Sequence, residues 1–111
     1  MELRFRVKGS QPEPYTVVFI REGDRLTGSC TCEGAASGQN CKHRLALLNG
    51  DISAVVSGAE AGAELKAMLA GSDVEHWLKE LVSADQAIEA AKHHRHGVLK
   101  ALARTLNAGS R

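Results

Sequence analysis

Cys30-Thr31-Cys32, eight residues of connection, then Cys41-Lys42-His43: this stretch holds every cysteine of the chain, and a histidine follows the last of them by two places. Three thiolates and one imidazole are the donor types and the number that a closed tetrahedral zinc site takes. The competing reading of three clustered cysteines is a set of reactive or buried structural thiols. Zinc–sulfur bonds of about 2.3 Å put tetrahedral ligand atoms roughly 3.8 Å apart. Cys30 and Cys32 on an extended strand would point the same way but lie nearly twice that far apart, so the backbone has to bend at Thr31, at a strand's end. Cys41 and His43 inside a regular helix would diverge by about 200°. They converge only if Cys41 stands at a helix entrance, and Asn40 reads as the N-cap that puts it there. Unpaired N–H groups and the positive end of the helix then stabilise a thiolate. Four protein ligands leave no coordination position for water or substrate, which favours a structural ion over a catalytic one.

The residues before this cluster read as strands. Leu3, Phe5 and Val7 alternate with Glu2, Arg4, Arg6 and Lys8, the period of a half-buried strand. Residues 9–14 hold two prolines and a glycine and make a turn. Tyr15 to Ile20 is a β-branched and aromatic run, and Arg25 to Ser29 is a short strand running into Cys30. The second and third strands are close enough for a hairpin, with the first beside them in a meander.

The residues after it read as helices. Residues 33–40 form a flexible loop, and Leu45, Leu47 and Leu48 lie in a helix that Asn49-Gly50 ends. Asp51 is read as capping a short helical turn with Ile52, Val55 and Val56 as its apolar side. Residues 61–70 carry Leu65, Met68 and Leu69 on one helical face. Ser72-Asp73-Val74-Glu75 has the form of a capping box, ahead of Val74, Trp77, Leu78 and Leu81 at helical spacing. Ser83-Ala84-Asp85-Gln86 repeats that start signal and is expected to open the longest helix, to about Asn107, with residues 108–111 fraying. Trp77 and Phe19 are expected in the core.

The CxC…CxH pattern, at the end of a strand pair and entering a helix, resembles the SWIM zinc finger over about residues 15–51. Ser29 before the first cysteine and the Leu45–Leu48 helix after the histidine are also in keeping. The resemblance implies Cys30, Cys32, Cys41 and His43 as the zinc ligands. It further implies a ββα unit that serves DNA binding or protein–protein contacts in remodelling ATPases and mutator-type transposases. No ATPase or transposase domain fits in this chain, so the resemblance covers the finger and not residues 58–111.

At 111 residues, 43% hydrophobic and 24% charged, the composition is that of one ordinary globular domain. A formal charge of +1 argues against a strongly basic nucleic-acid binder while leaving room for a local patch. Arg4, Arg6 and Lys8 on the first strand, with Lys42 and Arg44 beside the zinc ligands, are the candidate nucleic-acid contacts; ordinary solubilising charge is the alternative. Lys92-His93-His94-Arg95-His96 offers a second basic face, readable as solvated helix, phosphate contact or a weak metal pair. No nucleophile with an identifiable base, Gly-rich phosphate loop or HExxH helix is present, so catalysis is not expected. The alternation from Met1 to Lys8 is not expected to be a signal peptide or membrane span, and an odd cysteine count suits a reducing compartment, cytoplasmic or nuclear.

The expectation is therefore a single α+β domain over residues 1–111. It has an N-terminal antiparallel sheet of about three strands, a zinc finger of the ββα kind at about 15–51, and a helical section at about 58–107. Its expected cofactor is Zn2+. Its expected work is DNA binding, the alternatives being a protein-interaction adaptor and, last, a thiol-based redox sensor.

Overall fold

The N-terminal alternation becomes strand β1, Glu2–Val7, with Leu3, Phe5 and Val7 buried and the residues between them exposed. In this computed structural model, which describes residues 1–108, β1 pairs antiparallel with β2 (Tyr15–Glu22), and β2 with β3 (Arg25–Cys30). The expected meander is thus present, and a further strand extends it. β4, Val55–Ser57, lies against the free edge of β1 and gives the sheet order β3-β2-β1-β4.

β4 corrects the expected helical turn at Asp51. The Asp51 carboxylate accepts from the Ser53 N–H at 3.0 Å and its hydroxyl at 2.7 Å, which makes a local turn instead of a helix cap. The β-branched residues after that turn then find ladder partners on β1, with Val55 opposite Val7 and Ser57 opposite Arg6. Gly58 ends the strand at φ +97°, where a Cβ would stand 2.6 Å from the Arg4 carbonyl oxygen. A side chain there would have to displace β1 itself.

The inner face of the sheet is covered by α2 (Lys42–Leu48) and α3 (Gly62–Leu69), which add Leu47, Leu65 and Met68 to a core of Leu3, Phe5, Val7, Val17, Phe19 and Leu26. Phe5 and Phe19 meet edge to face at 6.1 Å. Arg21 of β2 donates to the carbonyls of Met68 and Ala70 and so satisfies the open end of α3. α2 ends as Asn49-Gly50 implies. Gly50 takes φ +84° and donates to Leu47, while Asp51 N–H reaches back to Ala46, the paired bonds of a Schellman motif. The connection expected as a loop contains a helical turn, α1 (Glu33–Ala36), held by Ala36 N–H to the Cys32 carbonyl at 3.1 Å.

The last element is α4, Asp73–Ala108. Ser72 starts it as expected, its hydroxyl accepting from the Glu75 N–H at 3.2 Å. The second start signal at Ser83 goes unused, and one helix runs where two were expected. Extending an existing helix adds a hydrogen bond per residue, whereas restarting one incurs the nucleation cost again. The chain divides into two compact units, Met1–His76 and Trp77–Arg111, the second containing α4 from Trp77 to Ala108. From Trp77 to Ala108 every residue is exposed except the half-buried Leu78. Phe19 is core as expected, but Trp77 is 69% exposed, so the tryptophan is corrected from core to surface. Ala108 is helical; the rest of the expected fraying falls on residues 109–111, outside the described residues.

Gly97 sits inside α4 with nothing within 4 Å of where a Cβ would be. Gly97→Ala should therefore stabilise the helix by about 0.5–1 kcal/mol, read as a raised thermal midpoint of the far-UV helical signal. A lowered midpoint would show that the position is not the plain helix interior described.

Candidate metal centre

Three separate elements deliver the four side chains. Cys30 is the last residue of β3, on the buried face in register with Val17 and Phe5. The ladder continues one residue further: Thr31 N–H donates to the Thr16 carbonyl at 3.2 Å, and Thr31 Oγ1 accepts from Thr16 N–H at 3.0 Å. The chain then bends, and Cys32 becomes the residue that starts α1. The bend needed at Thr31 is thus anchored by the threonine's own hydroxyl.

Cys41 and His43 sit at the entrance of α2. Cys41, rather than Asn40, is the N-cap: its Sγ accepts from the Arg44 N–H at 3.5 Å. That is the N–H three residues in, the one a capping side chain normally takes, so a ligand sulfur also closes the helix start. His43, on the first turn, brings Nδ1 to 3.6 Å from Cys41 Sγ and 3.8 Å from Cys30 Sγ. Cys32 and Cys41 are 3.3 Å apart at sulfur, far beyond the roughly 2.05 Å of a disulfide. One donor atom from each of the four residues lies within 4.8 Å of the others, and all four side chains are buried.

Bonds of about 2.3 Å to sulfur and about 2.0 Å to nitrogen give tetrahedral edges of roughly 3.5–3.8 Å. The two sulfur–nitrogen distances fall at that length, so the set fits Zn2+ with His43 binding through Nδ1. The other nitrogen, Nε2, is buried without a hydrogen-bond partner among the described residues, on the side where Gly9 passes. Tyr15 lies over the imidazole with ring centroids 4.8 Å apart. A Cβ at Gly9 would collide with the Tyr15 ring, so the glycine permits this closure. The Tyr15 contact joins distant parts of the chain, and no local pattern announces it.

The thiols differ in how readily they ionise without metal. Burial pushes Cys30 up to about 12, whereas Cys32 is drawn down to about 6, chiefly by the backbone N–H of Ala35 in α1. Zinc has to displace the protons that remain on its ligands. Loading therefore releases acid, and affinity falls as the pH is lowered.

Residues 15–49 match the family model of the SWIM zinc finger. Comparison with the curated proteins and with the solved structures finds no match. The matched span begins at the first residue of β2 and ends at the cap of α2, so the SWIM finger here is the β2–β3 hairpin, α1 and α2. β1, β4 and α3 build the rest of its sheet and cover.

Of the candidate nucleic-acid residues, Lys42 and Arg44 lie on α2 within the SWIM finger, whereas Arg4 and Arg6 do not share a face with its ligands. Cross-strand partners share a face, so Phe5, Val17 and Cys30 lie on one side of the sheet and Arg4 and Arg6 on the other. Arg4 also pairs with Glu2 at 3.0 Å. Lys8 and Lys42 are exposed. Arg44 is committed inside the finger: it donates to the Gly28 carbonyl at 3.0 Å and the Gln39 carbonyl at 2.8 Å, joining β3 to the ligand loop. Arg44→Ala should lower the stability of the zinc-loaded protein by about 1.5–3 kcal/mol, the range for hydrogen bonds from a charged donor. A denaturant midpoint unchanged by the substitution would return Arg44 to the list of available cations.

Proposed function

We infer that this chain is a non-catalytic interaction module in which zinc holds the fold and a protein partner is engaged elsewhere on the chain. The zinc-binding module itself rests on the SWIM match and the buried Cys3His cluster. The non-catalytic reading is supported by the donor set, since four protein ligands fill a tetrahedral ion and leave it no position for substrate. The observation that carries the choice of partner is the dispersal of the cations: Arg4 and Arg6 face away from the zinc ligands, and Arg44 is spent on backbone carbonyls. Apolar residues, by contrast, stay exposed along α4. No helix among the described residues is long and apolar enough to cross a membrane.

Nucleic-acid binding is the second reading, favoured by one feature. From residue 91 on, α4 carries Lys92, Arg95, Lys100 and Arg104 and no carboxylate. Titration of a fluorescent oligonucleotide at low salt separates the two. The protein-partner reading expects no saturable binding. Binding that weakens steeply with added salt and is lost in Lys100→Glu/Arg104→Glu would overturn it in favour of nucleic acid.

A further inference from the structure

Beyond the finger, α4 carries a pattern of its own. From Trp77, steps of four and three residues pass through Leu81, Ala84, Ile88, Ala91, Arg95, Val98 and Leu102. These are the four- and three-residue steps that a coiled-coil seam takes, with Arg95 its one polar member. Leu81, Ile88, Val98 and Leu102 on that seam are 37–53% exposed. Gly97 lies off it. An apolar stripe of this length is stable in water when a second helix covers it.

The charges say which helix. Residues 73–90 hold five carboxylates (Asp73, Glu75, Glu80, Asp85 and Glu89) against one lysine, Lys79. Residues 91–108 hold four cations and no carboxylate. Side by side in parallel, two copies would set acid on acid and base on base. Reversed, each acidic half lies along a basic half. The complementary partner for this helix is the same helix turned around.

We propose that α4 forms an antiparallel two-stranded coiled coil with α4 of a second copy, making a symmetric dimer. The seam closes in register about its centre. Ile88 meets Ala91 of the second copy, Leu81 meets Val98, and Trp77 meets Leu102. Arg95 falls opposite Ala84, whose small side chain leaves room for the guanidinium to reach the acidic half beside it. Flanking the seam, Asp85 faces Lys92 of the second copy, and symmetry makes that pair twice. Within one chain Lys92 lies 3.6 Å from Glu89, an exposed contact weak enough to be given up. Leu78 and Leu99 flank the seam as a further apolar pair. In a parallel dimer Asp85 would face Glu80 instead, so the two orientations respond oppositely to a charge change at residue 85.

The experiment is sedimentation equilibrium of the zinc-loaded full chain over a range of concentration, with zinc content and far-UV spectrum recorded for each variant. The expected result is the mass of two chains. Ile88→Glu is expected to give one chain. Asp85→Lys should weaken the dimer about tenfold, because two attractive pairs become repulsive, and Asp85→Lys/Lys92→Glu should restore it. Added salt should weaken it as well. A one-chain mass at every concentration overturns the proposal. So does a dimer that Asp85→Lys strengthens, which would be parallel, or one that Ile88→Glu leaves intact, which would use another surface. The SWIM finger is untouched by any of these outcomes, since the zinc content reports on it separately.

Discussion

Chelating the zinc from this protein is expected to unfold the finger. Apparent binding energies of structural zinc sites are on the order of 10 kcal/mol at neutral pH, comparable with the whole stability of a small domain. The elements that the ion joins cannot replace it. α2 has seven residues, too short to persist as an isolated helix, and α1 has four. Without metal, the coordination bonds that tie the end of β3 to the starts of α1 and α2 are gone. Cys41→Ser removes a ligand while its hydroxyl, a favoured N-cap, can still accept from the Arg44 N–H at the start of α2, so its effect reports the lost coordination. Cys32→Ser likewise removes a ligand, at the residue that starts α1. Metal analysis of the purified protein should give about one zinc per chain by the four-donor rule. The thermal midpoint should fall sharply on chelation, on either substitution, and on acidification as the ligands take up protons. A protein whose melting is the same with and without chelator would rule out a structural zinc.

Phe19→Ala is expected to cost about 3–5 kcal/mol, the usual range for deleting a buried aromatic ring. Phe19 is 1% exposed, stands opposite Leu3 and Gly28 in the ladders, and meets the fully buried Phe5 edge to face. Its ring covers Gly28, where a Cβ would stand 2.8 Å from it. The cavity left by its loss would therefore open beneath β3, the strand that presents Cys30. Urea unfolding of the zinc-loaded protein followed by far-UV circular dichroism measures the cost. Trp77 fluorescence is a poor substitute, because that side chain is 69% exposed. A loss below about 1 kcal/mol would mean that the site collapses around the missing ring, contrary to the packing described.

The zinc donors were legible in the amino-acid order because they are local chemistry: four residues within fourteen positions, of the right types, on a chain that has to bend at Thr31. The first three strands were equally legible, since period-two alternation and a β-branched run are properties of the segment itself. β4 was not. Three residues carry too little pattern to decide between turn and strand, and it was the unfilled edge of β1, far away in the chain, that decided. Ser83 misled for the opposite reason. It carries a start signal that a helix already running through it has no need to use.

The candidate cations show the same division. Their presence on β1 and beside the ligands is plain from the residues. That Arg4 and Arg6 face away from Cys30 depends on the register that aligns Phe5, Val17 and Cys30 across the sheet. That Arg44 is spent on Gly28 and Gln39 depends on where the ligand loop comes to rest. The spacing did carry one further hint, since the residue three after Cys41 is where an N-cap finds its N–H.

The stretch from Cys30 to His43 thus specifies its metal, its coordination number and the strand-to-helix change on its own, because donor chemistry and backbone reach are set within a few residues. Burial is not set that way. Helical spacing placed Trp77, Leu78 and Leu81 on one face but could not say whether anything in the same chain covers it. Covering a face is a property of two surfaces, and the folded structure shows this one largely exposed.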